Sequence, residues 1–459
     1  MFIGRSQELN QLLELLKKPS QNALIYGNRR VGKTTLGLKA VSLSKLEFIY
    51  YECKKDSLDK NLLSFESNMY ELHIVDYKVH FESFVELFKY LNNLNKRIVI
   101  IIDEYPYLYF DEKKEVVDSI FQNIIDQYSS NLNIVISGSH IGMMKEIIQR
   151  TNPLFGRFKE IINLNELNYH EASYFYNGLS PYDKVQYYSI FGGSPFVLEQ
   201  LDYSLSIEDN IKKTFLSPNS VLCMFLNEQY TSDLSTKETA NKIFEVLGNS
   251  KMRYKDIEER LGLEKNGLLN KQLKTLINMN FIGTSCPINK LNDNKKTTYY
   301  IKNNALRFYY TYIYGKISLI NILGSKEYYN RYIKDSITTF ISLRFEDIAK
   351  EYISILIKNG TLSGVYNIGS YYYDDAINKT NGEFDLVIQR KDNYDFIEVK
   401  YLKGKVDNKI VLEERRQVKD IKNLNIGKFG FISINGFEDD VKNLDYMFDG
   451  EDIYFNKKI

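Results

Sequence analysis

The sequence predicts a multi-domain α/β chain: a parallel sheet around a P-loop with a helical lid, a winged helix-turn-helix, and a C-terminal α/β domain. Three observations predict it. GxxxxGK[ST] is met in full from Gly27 to Thr34, between an apolar run and a helical one. Strand-like and helix-like runs alternate through the first part of the chain, the pattern of a parallel sheet covered on both faces. Short helices and a hairpin follow, and the end reads as helix, three strands, helix, strand. At 459 residues, roughly 150 per domain implies about three domains. Shifts in pattern divide the chain into a P-loop core at 1–165, a helical lid at 166–232, a winged helix at 233–305 and the C-terminal domain at 306–459.

With 44% hydrophobic and 26% charged residues, the chain can bury sizeable cores. Cys53, Cys223 and Cys286 lie far apart, and His73, His80, His140 and His170 form no metal-binding spacing. Neither a disulfide framework nor a structural zinc site is indicated. The start, "MFIGRSQELNQLL", lacks a basic, apolar leader, and no 18-residue apolar window follows. A cytoplasmic location without membrane contact is expected. The net charge is only +1, so affinity for nucleic acid must come from local patches.

In "NALIYGNRRVGKTTLGLKAV", Ala23 to Tyr26 reads as a strand and Thr34 to Val41 as a helix. The loop between them, Gly27, Asn28, Arg29, Arg30, Val31, Gly32, Lys33, Thr34 and Thr35, then presents backbone N–H groups and a helix N-terminus to phosphates. Lys33 is expected at the β- and γ-phosphates of ATP, and Thr34 on Mg2+. "RIVIIIDEYPYL" supplies a strand ending in Asp103, the second expected magnesium partner. Glu104 follows as the carboxylate that orients or deprotonates the attacking water, which points to hydrolysis. Further strands read at "LEFIYYE", "LNIVISGS" and "KEIINL". Ser137 or Ser139, at the end of the fourth strand, is a candidate γ-phosphate sensor; the alternative is that these hydroxyls cap the next turn.

The segments "FIGRSQEL", "GNRRVGKTT", "IIDEYPYL", "SGSHIGMM", "NPLFGRFKEIINL" and "FGGSPFVL" resemble, in this order, the archaeal-type ATPases, relatives of the AAA and STAND NTPases. The resemblance covers most of residues 1 to 230. It implies a sheet in which the Asp103 strand is not the neighbour of the P-loop strand. It also implies that Gly4 and Arg5 lie near the adenine, and that Gly193 and Pro195 close over the nucleotide. Arg157 matches an arginine that senses γ-phosphate charge, although an arginine after glycine is often simply a surface residue.

"TKETANKIFEVLG", "RYKDIEERLG" and "KNGLLNKQLKTLINMN" read as three helices, and "FIGTSCPI" to "TTYYIK" as a hairpin. This order reads as a winged helix with residues 266 to 280 as recognition helix, its apolar face carrying Leu269, Leu273, Leu276 and Ile277. Residues 236 to 304 hold thirteen Lys and Arg against seven Asp and Glu, a local surplus of six. Lys271, Lys274, Lys290, Lys295 and Lys296 are the expected phosphate contacts on DNA; a protein-binding module is the alternative.

"ISLRFEDIAKEYISILI" reads as a helix burying Phe345, Ile348, Tyr352, Ile355 and Leu356, with Glu346 beside the stripe. In "GEFDLVIQRKDNYDFIEVKY" a loop at Arg390 to Asn393 pairs Gln389 with Tyr394, Val387 with Phe396 and Asp385 with Glu398. Phe384, Leu386 and Ile388 then share the opposite, apolar face with Ile397 and Val399. Opposed Cβ atoms lie about 5 Å apart, so Asp385 and Glu398 can share one hard cation. Lys400, on the same face, can stabilise charge on a phosphate. A one-residue slip would separate the two acids. This spacing, after a helix bearing Glu346, resembles the PD-(D/E)xK nuclease superfamily and implies a restriction-endonuclease-like fold. Glu346, Asp385, Glu398 and Lys400 then take its catalytic positions, and Gln417 matches a glutamine of some branches. The expected activity is ATP hydrolysis, with DNA binding and Mg2+-dependent cleavage as output. The alternative is an ATP-gated scaffold for DNA or protein, and a homo-oligomer is open.

Overall fold

The computed structural model describes residues 2–228, 237–262, 267–291, 293–375, 380–419, 421 and 424–455. The chain folds as two compact units. The first runs to Leu167 and takes in Ser194–Phe196 and Asn278–Asn280; the second holds Asn168–Gly193, Val197–Ile277 and Phe281 onward.

The first unit is built on five parallel strands, β1 (Ala23–Tyr26), β2 (Glu47–Glu52), β3 (Ile98–Asp103), β4 (Leu132–Gly138) and β5 (Glu160–Asn163), in the order β2-β3-β4-β1-β5. The run Ile98–Asp103 is buried at every position, as expected of a central parallel strand. Alternate residues feed two cores. Leu24, Ile100, Ile102, Ile134 and Ile136 pack with Phe65, Phe88 and Phe121 on one face. Ala23, Ile25, Ile101 and Val135 pack with Leu12, Leu15, Leu36 and Ala40 on the other. The P-loop strand β1 therefore has β4 and β5 as neighbours, with β4 between it and the Asp103 strand, as the family resemblance implied.

In the second unit, helices Lys237–Leu247, Tyr254–Leu261 and Leu268–Asn278 accompany a small antiparallel sheet of β6 (Met252–Arg253), β7 (Ile282–Ser285) and β8 (Thr298–Ile301), ordered β6-β8-β7. The expected start of the third helix, at 265 and 266, lies outside the described residues. Leu269, Leu273 and Leu276 are buried, and Lys271 and Lys274 are exposed. Lys296 departs from expectation: it is half-buried, with Nζ 3.6 Å from the centroid of the Tyr372 ring. A cation on an aromatic face has a partner already.

The C-terminal sheet contains β9 (Asn367–Asp375), β10 (Thr380–Gln389), β11 (Tyr394–Lys400), β12 (Ile426–Ser433) and β13 (Tyr446–Phe448), ordered β13-β12-β11-β10-β9. It is mixed: β9, β10 and β11 run antiparallel, whereas β12 and β13 run parallel to β11. β13 was not anticipated, its three residues being too few to show a period. The hairpin register is the expected one, with Val387 opposite Phe396 and Gln389 opposite Tyr394.

The expected faces hold for Leu386, Ile388 and Ile397 but not for Phe384. Between Phe384 and Val387, β10 spends one residue more than β9, which moves only from Tyr371 to Gly369. Such a bulge breaks the two-residue alternation. Phe384, Val387 and Phe396 consequently share one core with Val411 and Val418 of helix Asn408–Lys419. Leu386, Ile388 and Ile397 are buried as well, so the central strands are covered on both sides. The long helix Ile337–Lys358 buries Phe345, Ile348, Tyr352 and Leu356; Ile353 is buried and Ile355 only half-buried. Among the described residues no helix is long and apolar enough to cross a membrane.

Candidate functional site

The P-loop leaves β1 at Gly27, where any Cβ would collide with the Leu164 carbonyl, so glycine is required there. Gly32 turns at φ 95 into helix Lys33–Ser44. Lys33 is buried, and its Nζ donates to Gly27 O at 3.0 Å, Asn28 O at 3.1 Å and Ser139 Oγ at 2.8 Å. Burial pulls its pKa down, while the nearby Glu104 and Asp103 carboxylates oppose that shift.

Asp103, at the end of β3, collects four donors. Thr34 Oγ1 reaches Oδ2 at 2.5 Å and Tyr50 OH reaches the same oxygen at 3.2 Å. Ser137 Oγ meets Oδ1 at 2.5 Å, joined by the Glu104 N–H at 3.0 Å. Glu104 follows in a left-handed conformation, φ 50 and ψ 41. A non-glycine residue held there is strained, and such strain gathers at functional sites. Its carboxylate accepts from the Ser139 hydroxyl and from the Ser139 N–H at 3.1 Å.

The remaining expected nucleotide residues divide. Arg5 is buried, with Nη2 donating to Val31 O at 3.2 Å and also to Asn165 O, and Gly4 precedes it at φ 69. Arg29 Nη2 meets Tyr107 OH at 3.2 Å, and Thr35 is exposed. Ser194 Oγ donates to Arg30 O at 3.5 Å, and Arg30 lies 4.8 Å from the ring centroid of Phe196, so residues flanking Pro195 touch the loop. Arg157 is the exception. Its Nε and Nη2 grip Asp126 at 2.9 and 2.7 Å, and Nη1 donates to Pro153 O at 2.7 Å. Every nitrogen of its guanidinium is thereby committed away from the loop.

The C-terminal candidates form two adjacent groups. Glu346 and Asp385 line a cleft of about 910 Å³, and Glu346 has its pKa raised by burial and then by the Asp385 charge. Glu398 does not line that cleft. It stands 3.6 Å from Lys400 Nζ, which binds Glu414 at 2.5 Å. Burial, followed by the Glu414 charge, pushes Glu398 up to about 7, and Asp385 adds to the shift. Gln417 is exposed. Asp385 links the two groups, its charge acting on both Glu346 and Glu398. Among the described residues, no three His, Cys, Asp or Glu side chains group closely enough to enclose a metal ion. A hard cation here would rest on one or two carboxylates and complete its shell with water or phosphate oxygen, as magnesium does.

A family model described as an ATPase domain predominantly from Archaea matches residues 2–201. An uncharacterized protein of Methanocaldococcus jannaschii is 30% identical over 430 residues, which is 91% of this chain and 92% of that protein. The chain carries an archaeal-type ATPase domain and belongs to one family with the Methanocaldococcus jannaschii protein. A second model, described as archaeal and bacterial proteins of unknown function, matches residues 309–416 of this archaeal-type ATPase. Its fold is shared with the Walker-type ATPase of Pyrococcus abyssi, at TM-score 0.52 and 18% identity, over 67% of this chain and 96% of that one.

Several residues of this archaeal-type ATPase escaped sequence reasoning. Tyr50 carried no signal among 37 tyrosines. Glu414, which occupies Lys400, lies in an ordinary charged helix. Arg344 carried one: it precedes Ile348 by four residues, placing a charge on the buried face of its helix.

Proposed function

We propose that this chain hydrolyses ATP with Mg2+ in the cytoplasm and couples the nucleotide to DNA held by a winged helix and a nuclease-like C-terminal domain. The observation that carries the ATPase half is the hydroxyl network. Lys33 reaches Ser139, Ser139 reaches Glu104, and Thr34 reaches Asp103. Lys33 and the loop N–H groups would hold phosphates, Thr34 with Asp103 would hold Mg2+, Ser137 would sense the γ-phosphate, and Glu104 would take the proton of the attacking water. Bound magnesium supplies charge neutralisation at the phosphates. Gly4, Arg5 and Pro195 belong to the nucleotide pocket in this reading.

For the C-terminal half, support comes from the αβββαβ order, the mixed sheet and the raised carboxyls of Glu346 and Glu398. Crowded acids of this kind suit a divalent cation on Asp385, with Glu398 from the next strand or Glu346 from the helix. Exposed Lys271 and Lys274 support the DNA-binding reading of the three-helix module. One observation favours a second reading, an ATP-gated scaffold: Lys400 is spent on Glu414.

Supercoiled and linear DNA incubated with Mg2+ or Mn2+, with and without ATP, separates the two. Nicking by wild type that is lost in Asp385→Ala supports cleavage; no cleavage under any condition removes that half. ATP turnover that survives both Lys33→Ala and Glu104→Ala removes the ATPase half.

A further inference from the structure

The cleft that holds Glu346 and Asp385 has a second wall. Lys251, Arg253 and Lys302 line it from the three-helix module, facing Arg344 and the carboxylates. Lys251 Nζ binds Asp347 Oδ1 at 2.9 Å and lies 5.6 Å from the Tyr300 ring centroid. Arg253 is exposed.

Arg344 is only 2% exposed, and one of its nitrogens, Nη1, meets Asp347 at 3.1 Å. Its other edge is different. Nε and Nη2 are enclosed, with no hydrogen-bond acceptor among the described residues, and Ser370 Oγ on the same cleft is likewise buried and unpartnered. Orphaned buried donors cost about 1–3 kcal/mol each and call for an explanation. The Nε/Nη2 edge is the fork that grips two oxygens of one anion, as Arg157 grips Asp126 in this same chain. Glu346 and Asp385 lie on the cleft, yet neither carboxylate takes that fork.

We infer that the Nε/Nη2 edge of Arg344, with Ser370 Oγ, clamps a backbone phosphate of a nucleic-acid strand lying between the Lys251–Arg253–Lys302 wall and the Glu346–Asp385 carboxylates. The ligand is an anion because every unsatisfied nitrogen is a donor on a fixed cation. It is a strand because the basic wall comes from the module with the local surplus of positive charge. A cleft of about 910 Å³ has the size of a small-ligand pocket, room for a few nucleotides of one strand. Entry requires side-chain movement of the Lys251–Asp347–Arg344 chain, which is ordinary on binding. This inference rests on the reading of the cleft as a phosphodiester site, and it assigns the positioning of the phosphate to Arg344.

The test is binding in EDTA, where cleavage plays no part. A fluorescein-labelled single-stranded 15-mer is titrated by anisotropy at several salt concentrations against full-length wild type, Arg344→Lys, Arg344→Gln and Arg253→Gln. Thermal melting checks that the buried variants fold. Each Gln variant is expected to bind about tenfold more weakly and to lose about 0.7 from the salt slope, the share of one phosphate on a single strand. Arg344→Lys, which keeps the charge without the fork, should recover the slope but not the affinity. Arg253→Gln, at an exposed side chain and checked by the same melting, keeps the test decisive if Arg344 variants melt early. Wild-type affinity and slope in Arg253→Gln and in any folded Arg344 variant overturns the clamp. Displacement of the strand by a 5′-mononucleotide at equal phosphate concentration overturns the strand assignment. Strand binding by wild type that is weakened in these variants, without any metal-dependent cleavage, would instead count against the cleavage reading alone.

Discussion

Lys33 and Glu104 meet through a single oxygen: Ser139 Oγ accepts from Lys33 Nζ at 2.8 Å and donates to the Glu104 carboxylate. The loop cation and the expected base are therefore linked by one hydroxyl just past the end of β4. Ser139→Ala should leave nucleotide binding near wild type and lower turnover on the order of 10²-fold, the cost of misplacing a reacting group. Phosphate release and binding of a fluorescent nucleotide measure the two separately. Unchanged turnover would show that the hydroxyl only caps the turn.

Glu104→Gln keeps the size and the contact with Ser139 but removes the base. Turnover should fall by about 10²–10⁴-fold while ATP is still bound. A variant that hydrolyses ATP at the wild-type rate assigns the base elsewhere.

Tyr50 OH and Thr34 Oγ1 both donate to Asp103 Oδ2. Removing the phenol in Tyr50→Phe loosens the carboxylate that would orient magnesium, an outer contact of the kind worth about 10–100-fold in metal affinity. The Mg2+ concentration for half-maximal turnover should rise correspondingly, with little change at saturating metal. A Mg2+ titration that overlays wild type rejects the role.

Glu351, on the same helix as Glu346, is pushed up to about 7 by burial, against the opposing N–H of Tyr169. The sign follows from linkage. A carboxyl raised above its ordinary value of 4.5 contributes its full stability below pH 4.5 and loses it as pH rises through about 7. Glu351→Gln should accordingly flatten the fall in stability between pH 5 and pH 8 by about 2 kcal/mol. Urea unfolding at the two pH values measures it, and parallel wild-type and variant curves would contradict it.

Asp395 is buried in β11 and ties three elements: Arg390 Nε at 2.8 Å, Tyr446 OH at 2.7 Å and Lys428 N at 2.9 Å. Asp395→Ala strands a cation and two polar groups, and should destabilise the second unit by about 3–5 kcal/mol. A shift below 1 kcal/mol in denaturant would mean that water replaces the carboxylate.

Much of this was legible because it depends on local pattern. The GxxxxGK[ST] spacing, the apolar run before Asp103 and the hairpin turn each fix their own geometry, and the register of β10 and β11 followed from loop length alone. What was hidden depends on partners distant in sequence. Nothing near Arg157 announces Asp126, nothing near Lys400 announces Glu414, and nothing near Lys296 announces Tyr372. The bulge was hidden for another reason: it arises against β9, whereas the alternation of β10 was read from β10 itself. The cleft joins residues some hundred positions apart, so neither its basic wall nor the Arg344 edge could be foreseen as a set.

The strand order of the first unit has one last effect. Because β4 separates β1 from β3, the P-loop and the acidic pair share no backbone ladder. They are joined by Thr34, Ser137 and Ser139, three side-chain oxygens. The rigid scaffold and the adjustable couplings are thus carried by different atoms, and evolution or an engineer can retune the coupling between loop and acids one oxygen at a time while leaving the sheet untouched.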